Sequence, residues 1–319
     1  MALFKFAIPA GAPVGQGVSL AFMEILTDPE TLRFGKDSLN TTMSAGVSAV
    51  LSGQNFALQL TEGDISFPSG KVTSLTLMIE GVTAMNVTGL NLALGPFADF
   101  IRDDDESGLI GWLLSGNDRM ILTSQSDNMT GGGGDDTLLG NGAADSLAGG
   151  TGHDSILGGA GNDRLFGQQG NDHLLGGKGN DFLHGDAGND RLSGNAGADI
   201  LLGAAGKDTL TGGAGADKFM FISAAAGNKA DVISDFTSGN DQIIIDPGAF
   251  AMPEGVLPAN AFRKGTAAQD LDDRFIYDKA TGRLFFDVDG SGNDPAILLA
   301  TLTNKPNLVA SDIVIDILV

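Results

Sequence analysis

Aspartate recurs every nine residues without a slip, at Asp118, Asp127, Asp136, Asp145, Asp154, Asp163, Asp172, Asp181, Asp190, Asp199, Asp208 and Asp217. Two residues after each stands an apolar side chain, from Met120 and Met129 through Leu138, Leu147 and Ile156 to Leu210 and Phe219. A glycine lies five residues before every Asp from Asp136 onward, and another lies two before in all cases but Gln125 and Ala143. The unit is G-G-x-G-x-D-x-U-x, with U apolar. Nine is not a helical period, and glycine at this density would cost a helix about 1 kcal/mol per position. Three residues around one apolar side chain make a short strand, and six glycine-rich residues reverse the chain. Two units then form one coil. Coils stacked by parallel pairing enclose an apolar ladder between two sheets, and such an array needs caps at its ends.

Stacking sets a charge problem. Turns on one side lie two repeats apart, so Asp136, Asp154, Asp172, Asp190 and Asp208 form one column, and Asp145, Asp163, Asp181, Asp199 and Asp217 the other. Close carboxylates repel or are driven to protonate. Ca²⁺ between successive turns relieves this by taking oxygens from both carboxylates and adding turn carbonyls, those of Gly149, Gly158, Gly176 and Gly212 among them, a set of hard oxygen ligands. Four intervals in each column predict eight sites. The turn Leu122–Ser126 has no glycine, so Asp118 and Asp127 are expected to bind poorly. Asn141, Ala143 and Gln168 weaken single turns, whereas Asn195 is tolerable because asparagine visits left-handed backbone.

Composition narrows the partners. Forty Asp and Glu against 18 Lys and Arg give a net charge of -22, and no basic run in the sequence suits nucleic acid or an anionic membrane. Cysteine is absent, which removes disulfides, thiolate metal sites and thiol nucleophiles. No apolar stretch is long enough to form a transmembrane segment, and Met1–Gly17 makes a poor signal peptide.

The chain reads as all-β in three parts. Residues 1–112 form a small β-rich domain of unknown role, with strands at Leu3–Ile8, Val47–Leu60, Ser74–Glu80 and Val82–Leu94, and a short helix within Phe97–Leu114. Residues 113–217 form the β-roll. Residues 218–319 form a β-rich cap, with strands at Phe219–Ile222, Asp231–Phe236 and Asp241–Asp246 and a hairpin of Arg274–Asp278 with Arg283–Asp287. Asp287-Val288-Asp289-Gly290-Ser291-Gly292-Asn293 resembles a calcium loop, but departs from the EF-hand spacing and reads equally as an Asx-Gly turn. Ser311–Val319 alternates acidic and apolar residues and reads as an edge strand.

The nonapeptides resemble those of the RTX family, the repeats-in-toxin or haemolysin-type calcium-binding exoproteins. The block from Gly215-Ala216-Asp217-Lys218-Phe219 through Asp235-Phe236, Phe275–Asp278 and Asp287–Gly290 to Ala310–Ile313 resembles the C-terminal domain of serralysin-type proteases. The resemblance implies a right-handed parallel β-roll that stays unfolded where calcium is scarce and folds outside the cell. It implies calcium binding by the ten Asp of the two columns. It also implies secretion to the extracellular space, or the cell surface, by type I secretion machinery that reads a C-terminal signal.

Catalysis is not expected. The three histidines, His153, His173 and His184, sit in variable, solvent-facing repeat positions, with no H-E-x-x-H and no G-x-S-x-G anywhere. The leading expectation is a non-catalytic secreted calcium-binding protein active in adhesion or interaction with surface glycans or other cells. The alternatives are a small bacteriocin or host-signalling effector, and a carbohydrate-active head on residues 1–112.

Overall fold

A computed structural model describes residues 116–122, 124–223 and 230–316 in full, and the strand backbones at 3–6, 23–26, 32–35, 38–42, 47–61, 64–79 and 82–93. The helix expected within Phe97–Leu114 lies outside the described residues. The repeat region is a parallel β-solenoid of about six turns. The chain forms two compact units, Met1–Ser155 and Ile156–Val319.

In the first unit, β1 (Leu3–Phe6) pairs antiparallel with β2 (Met23–Leu26). Strands β3 (Leu32–Gly35), β4 (Ser38–Thr42), β5 (Val47–Thr61), β6 (Asp64–Ile79) and β7 (Val82–Ala93) form an antiparallel meander in sequence order. The meander does not stop at its own last strand. β7 pairs antiparallel with β8 (Arg119–Ile121), Val87 opposite Met120, so the first strand of the roll is covered rather than left as an open edge. From there pairing is parallel. β9 (Asn128–Gly133) begins the facing sheet, β10 (Thr137–Leu139) adds to β8 with Leu138 opposite Met120, and β11 (Ser146–Thr151) adds to β9 with Leu147 opposite Met129.

The second unit has the same rise of two repeats per coil. Its roll strands are β12 (Ser155–Ala160), β13 (Arg164–Gln169), β14 (His173–Lys178), β15 (Phe182–Ala187), β16 (Arg191–Ala196), β17 (Ile200–Leu202), β18 (Thr209–Ala214) and β19 (Lys218–Phe221). Odd and even strands fall in opposite sheets, with Leu165 opposite Leu183 in one and Leu174 opposite Leu192 in the other. Ile156, Leu165, Leu174, Leu183, Leu201, Leu210 and Phe219 are all fully buried, forming the ladder that the repeat predicts. Each such side chain contributes about 1.5–3 kcal/mol, an upper estimate because the unfolded chain already buries some surface.

Beyond the repeats the ladder goes on. β20 (Asp231–Ile233) stacks on β18 with Ile233 opposite Leu210, and β21 (Gln242–Ile245) stacks on β19 with Ile243 opposite Phe219. One turn of helix, α1 (Pro247–Phe250), follows, capped by the Asp246 carboxylate, which accepts from the Ala249 N–H at 2.7 Å. After β22 (Gly255–Val256) and β23 (Phe262–Lys264) comes the expected hairpin, β24 (Phe275–Asp278) with β25 (Arg283–Phe286), closed by a bond from the Gly282 N–H to the Asp278 carbonyl. β26 (Ile297–Leu302) lies between β25 and β20. β27 (Ile313–Ile315) is not an edge strand, as its alternation suggested. It lies between β21 and β22, and both of its inward isoleucines are buried.

Candidate calcium centre

The repeat aspartates are buried at the turns, except Asp127, which is half-buried. Asp136, Asp145, Asp154, Asp163, Asp172, Asp181, Asp190, Asp199, Asp208 and Asp217 are each at most 3% exposed. One carboxylate oxygen does a structural job: Oδ1 accepts the backbone N–H of the Asp one coil earlier. The Asp118 N–H donates to Asp136 and that of Asp136 to Asp154, while that of Asp127 donates to Asp145. In the second unit Asp172 donates to Asp190 and Asp190 to Asp208, and Asp163, Asp181 and Asp199 donate to Asp181, Asp199 and Asp217 at 2.8–3.0 Å.

The other oxygen has a different fate. Oδ2 of Asp136, Asp181, Asp190, Asp199, Asp208 and Asp217 is buried and accepts no hydrogen bond. A buried acceptor in that state costs about 1–3 kcal/mol, and more if charged. Burial, the first cause in each case, pushes Asp136, Asp181 and Asp199 up to about 6 and Asp190 to about 7, from 3.8. Neighbouring carboxylates push in the same direction, Asp208 and Asp172 acting on Asp190.

The glycines fall into two physical classes. Those five residues before each Asp make room. A methyl group on Gly167 would lie 2.5 Å from Asp172 Oδ2 and 2.7 Å from the Gly185 carbonyl oxygen. Gly149, Gly158, Gly176 and Gly212 stand in the same way under Oδ2 of Asp154, Asp163, Asp181 and Asp217. The carbonyl oxygens of Gly176 and Gly194 close over Gly158 and Gly176. Glycines two residues before each Asp, such as Gly188 at φ 150°, hold backbone that other residues rarely adopt. The position between them is left-handed but milder. Asn141, Gln168, Asp186, Asn195 and Ala204 occupy it at φ 67–76°, so Asn195 is tolerated as expected and the Asn141 and Gln168 turns keep their shape.

Each glycine that stands under an Oδ2 thus makes room for the carboxylate of its Asp, and Gly131, Gly158, Gly167, Gly176 and Gly185 also for the carbonyl oxygen of the glycine one coil on. Hard oxygen donors with net negative charge fit Ca²⁺. Among the described residues no three carboxylate or imidazole groups converge as a metal cluster.

Three features were missed by the sequence reading. The Asp208 N–H donates to Asp231 Oδ1 at 3.0 Å and the Asp217 N–H to Asp241 Oδ1 at 3.1 Å, so both columns outlast the nine-residue spacing. Both newcomers keep the D-x-U signature, with Ile233 and Ile243 two residues on, and that was the available signal. Asp235 also caps the last coil, accepting from the N–H groups of Gly212 and Gly213. Finally, a second, exposed ladder runs opposite to the first. Asn162, Asn171, Asn180 and Asn189, one residue before their Asp, accept the backbone N–H of the next coil at 2.7–3.1 Å.

Other expectations fare unevenly. Asp118 is buried in the first coil with neither oxygen bonded and is pushed to about 7 by burial and then by Asp136. His153 and His173 are exposed, but His184 is half-buried among Phe166 and Phe182, with Nε2 3.2 Å from Asp186 Oδ1. In the loop after β25, Asp287 accepts from the Asp289 N–H, Asp289 accepts from that of Asp294, and Gly290 takes φ 64°, the features of an Asx-Gly turn.

Central and edge aspartates are expected to differ. Asp190→Asn removes a charge flanked by Asp172 and Asp208, whereas Asp118 has no earlier coil to bond. A calcium titration followed by circular dichroism should show a raised midpoint and lower cooperativity for D190N, with little change for D118N. Equal effects would overturn this ranking of the turns.

No curated protein matches the chain. Among solved structures it is similar to the AlgE6R3 subunit from the Azotobacter vinelandii mannuronan C5-epimerase, at 28% identity over 54% of this chain and 78% of that one, with a TM-score of 0.21. It is also similar to the extracellular lipase LipA from Serratia marcescens, at 13% identity over 70% of this chain, with a TM-score of 0.20. It spans 49% of the lipase. The family model of the RTX calcium-binding nonapeptide repeat matches at residues 114–147, 139–174, 148–183, 166–201 and 184–219. The repeat region of this chain, residues 114–219, therefore consists of RTX calcium-binding nonapeptide repeats.

Proposed function

We propose that the chain is a secreted, non-catalytic calcium-binding protein whose roll folds on Ca²⁺ after type I export, and which then acts in adhesion or interaction at the cell surface or in the matrix. The observation that carries this reading is the row of buried Oδ2 atoms with no hydrogen-bond donor, each packed against a glycine whose missing side chain makes room for the carboxylate. In this reading those oxygens and the glycine carbonyls ligate the ions, and Oδ1 keeps the coils in register. Asp231 and Asp241 carry the columns past the repeats, which ties the C-terminal strands to the same cations. RTX repeat proteins are typically secreted, and this supports an extracellular setting. The lack of H-E-x-x-H and G-x-S-x-G motifs supports a non-catalytic role.

Export gives the direct test. Deleting Asn260–Val319 should abolish appearance of the protein in the medium of cells carrying a type I exporter, while deleting residues 1–112 should leave export intact. Normal export of the C-terminally truncated protein without lysis would refute the export part of the proposal.

A further inference from the structure

The fold assembles a basic patch that the linear sequence hides. Lys264 at the end of β23, Lys279 in the β24–β25 turn and Lys305 after β26 come from three separate segments of the second unit. Lys264 Nζ donates to Asn307 Oδ1 at 3.0 Å, and Lys279 Nζ approaches the same oxygen at 3.5 Å. The two ammonium groups therefore flank a single oxygen atom. Lys305 Nζ donates to the carbonyl of Ala280, the residue next to Lys279, at 2.7 Å. Lys305 reaches it from a left-handed backbone, φ 52°.

Among the described residues none of these lysines forms an ion pair; the pairs found there are His184 with Asp186 and Arg263 with Asp273. This occurs in a chain with 40 acidic and 18 basic residues, where partners are abundant. The nearest carboxylate in sequence, Asp278, is turned into its own β-turn. Its Oδ2 accepts from Thr281 Oγ1 at 2.6 Å and its Oδ1 from the Ala280 N–H at 3.0 Å. Two like charges sharing one neutral amide oxygen leave most of their hydrogen-bonding capacity unused, since each ammonium has three donors.

We infer that Lys264, Lys279 and Lys305 around Asn307 form a binding site for the oxyanion groups of an acidic polysaccharide. An ammonium is a point donor without the planar fork of arginine, so the site selects charge rather than carboxylate geometry. A sulfate, phosphate or carboxylate with two or more oxygens can bridge the two ammonium groups and replace the shared amide oxygen. The net charge of -22 argues against a flat anionic membrane or a nucleic-acid duplex, which would meet the acidic surface over a wide area. A flexible polymer can instead offer one or two charged groups to a small patch, with the rest of its charge screened beyond a Debye length of about 8 Å at physiological salt. The site deepens the proposed interaction role and rests on it only for where the polymer is met.

The test uses the full, calcium-loaded chain with fluorescent dextran sulfate, against neutral dextran, inorganic sulfate and phosphatidylglycerol vesicles. Dextran sulfate should bind and neutral dextran should not. Lys264→Ala with Lys279→Ala should weaken binding about tenfold, the sum expected of two exposed ion pairs. Asn307→Asp should weaken it comparably while retaining both lysines, because the new carboxylate competes for them. Lys207→Ala, on the roll, should change nothing. Calcium-induced folding of every variant is read by circular dichroism, so loss of the polymer site is separated from failure of the calcium reading. Undiminished binding by folded N307D and by the double lysine variant would overturn the proposal, as would tighter lysine-dependent binding to the vesicles or to inorganic sulfate than to the polymer.

Discussion

Withdrawing calcium at neutral pH is expected to unfold the roll, with loss of most of its strand signal in far-UV circular dichroism and recovery in millimolar Ca²⁺. Ten buried aspartates line two columns, and the apolar ladder between them is one side chain thick per strand. That ladder must offset the ordering of many glycines, each of which loses more backbone freedom on folding than other residues. It must also hold carboxylates whose burial already favours their neutral form. Calcium removes both difficulties at once, because it binds the folded seat and not the open chain. A single site contributes about 2.7 kcal/mol when free calcium exceeds its dissociation constant a hundredfold. Several such sites act on one stack, so cooperative folding and a large rise in melting temperature follow. Magnesium should substitute poorly, since it demands a smaller, near-octahedral shell. Identical strand content and melting temperature in EGTA and in calcium would sink the idea.

The sequence was informative where structure is local and periodic. Each Asp, its glycine and its apolar partner lie close together in the chain, and the next coil repeats them, so the roll and its two columns of Asp could be read from spacing, while the burial of those carboxylates could not. Nor could the two roles of glycine. A need for space under Asp172 and a need for positive φ at Gly188 both appear in the sequence only as the letter G. Asp231 and Asp241 were hidden by insertions that lengthen the last coils, although their D-x-U signature survived. The strands of the meander were visible as alternation, but the pairing of Val87 with Met120 joins segments far apart in the chain. The lysines around Asn307 were invisible for the same reason. Pairing and convergence between distant segments depend on the fold as a whole, which a local pattern does not encode.

Acid should partly replace calcium in holding the metal-free roll together, and should weaken the calcium-loaded one. In the folded, metal-free chain burial pushes Asp136, Asp181 and Asp199 up to about 6 and Asp118 and Asp190 to about 7, against 3.8 for an ordinary Asp, and it raises Asp231 as well. Burial is the first cause in every case, with adjacent carboxylates of the column adding to it at Asp118, Asp190 and Asp231. The folded chain therefore holds more protons than the unfolded chain between about pH 4 and pH 8. Stability rises with pH only where the unfolded state binds more protons, and here the reverse applies. The contribution of these groups is fully present below 3.8 and is lost as pH rises through their folded values. With calcium bound the sign inverts, because a ligating carboxylate must be ionised and protons compete with the ion. Protein stripped of calcium by dialysis should thus regain strand signal on going from pH 8 to pH 5, whereas at a fixed, limiting calcium concentration the melting temperature should fall over the same interval. Dialysis is needed because a chelator would itself protonate. If the stripped protein lost structure on acidification, protonation of the columns could not be stabilising the stack. The unbonded Oδ2 atoms would then have to be satisfied in some other way.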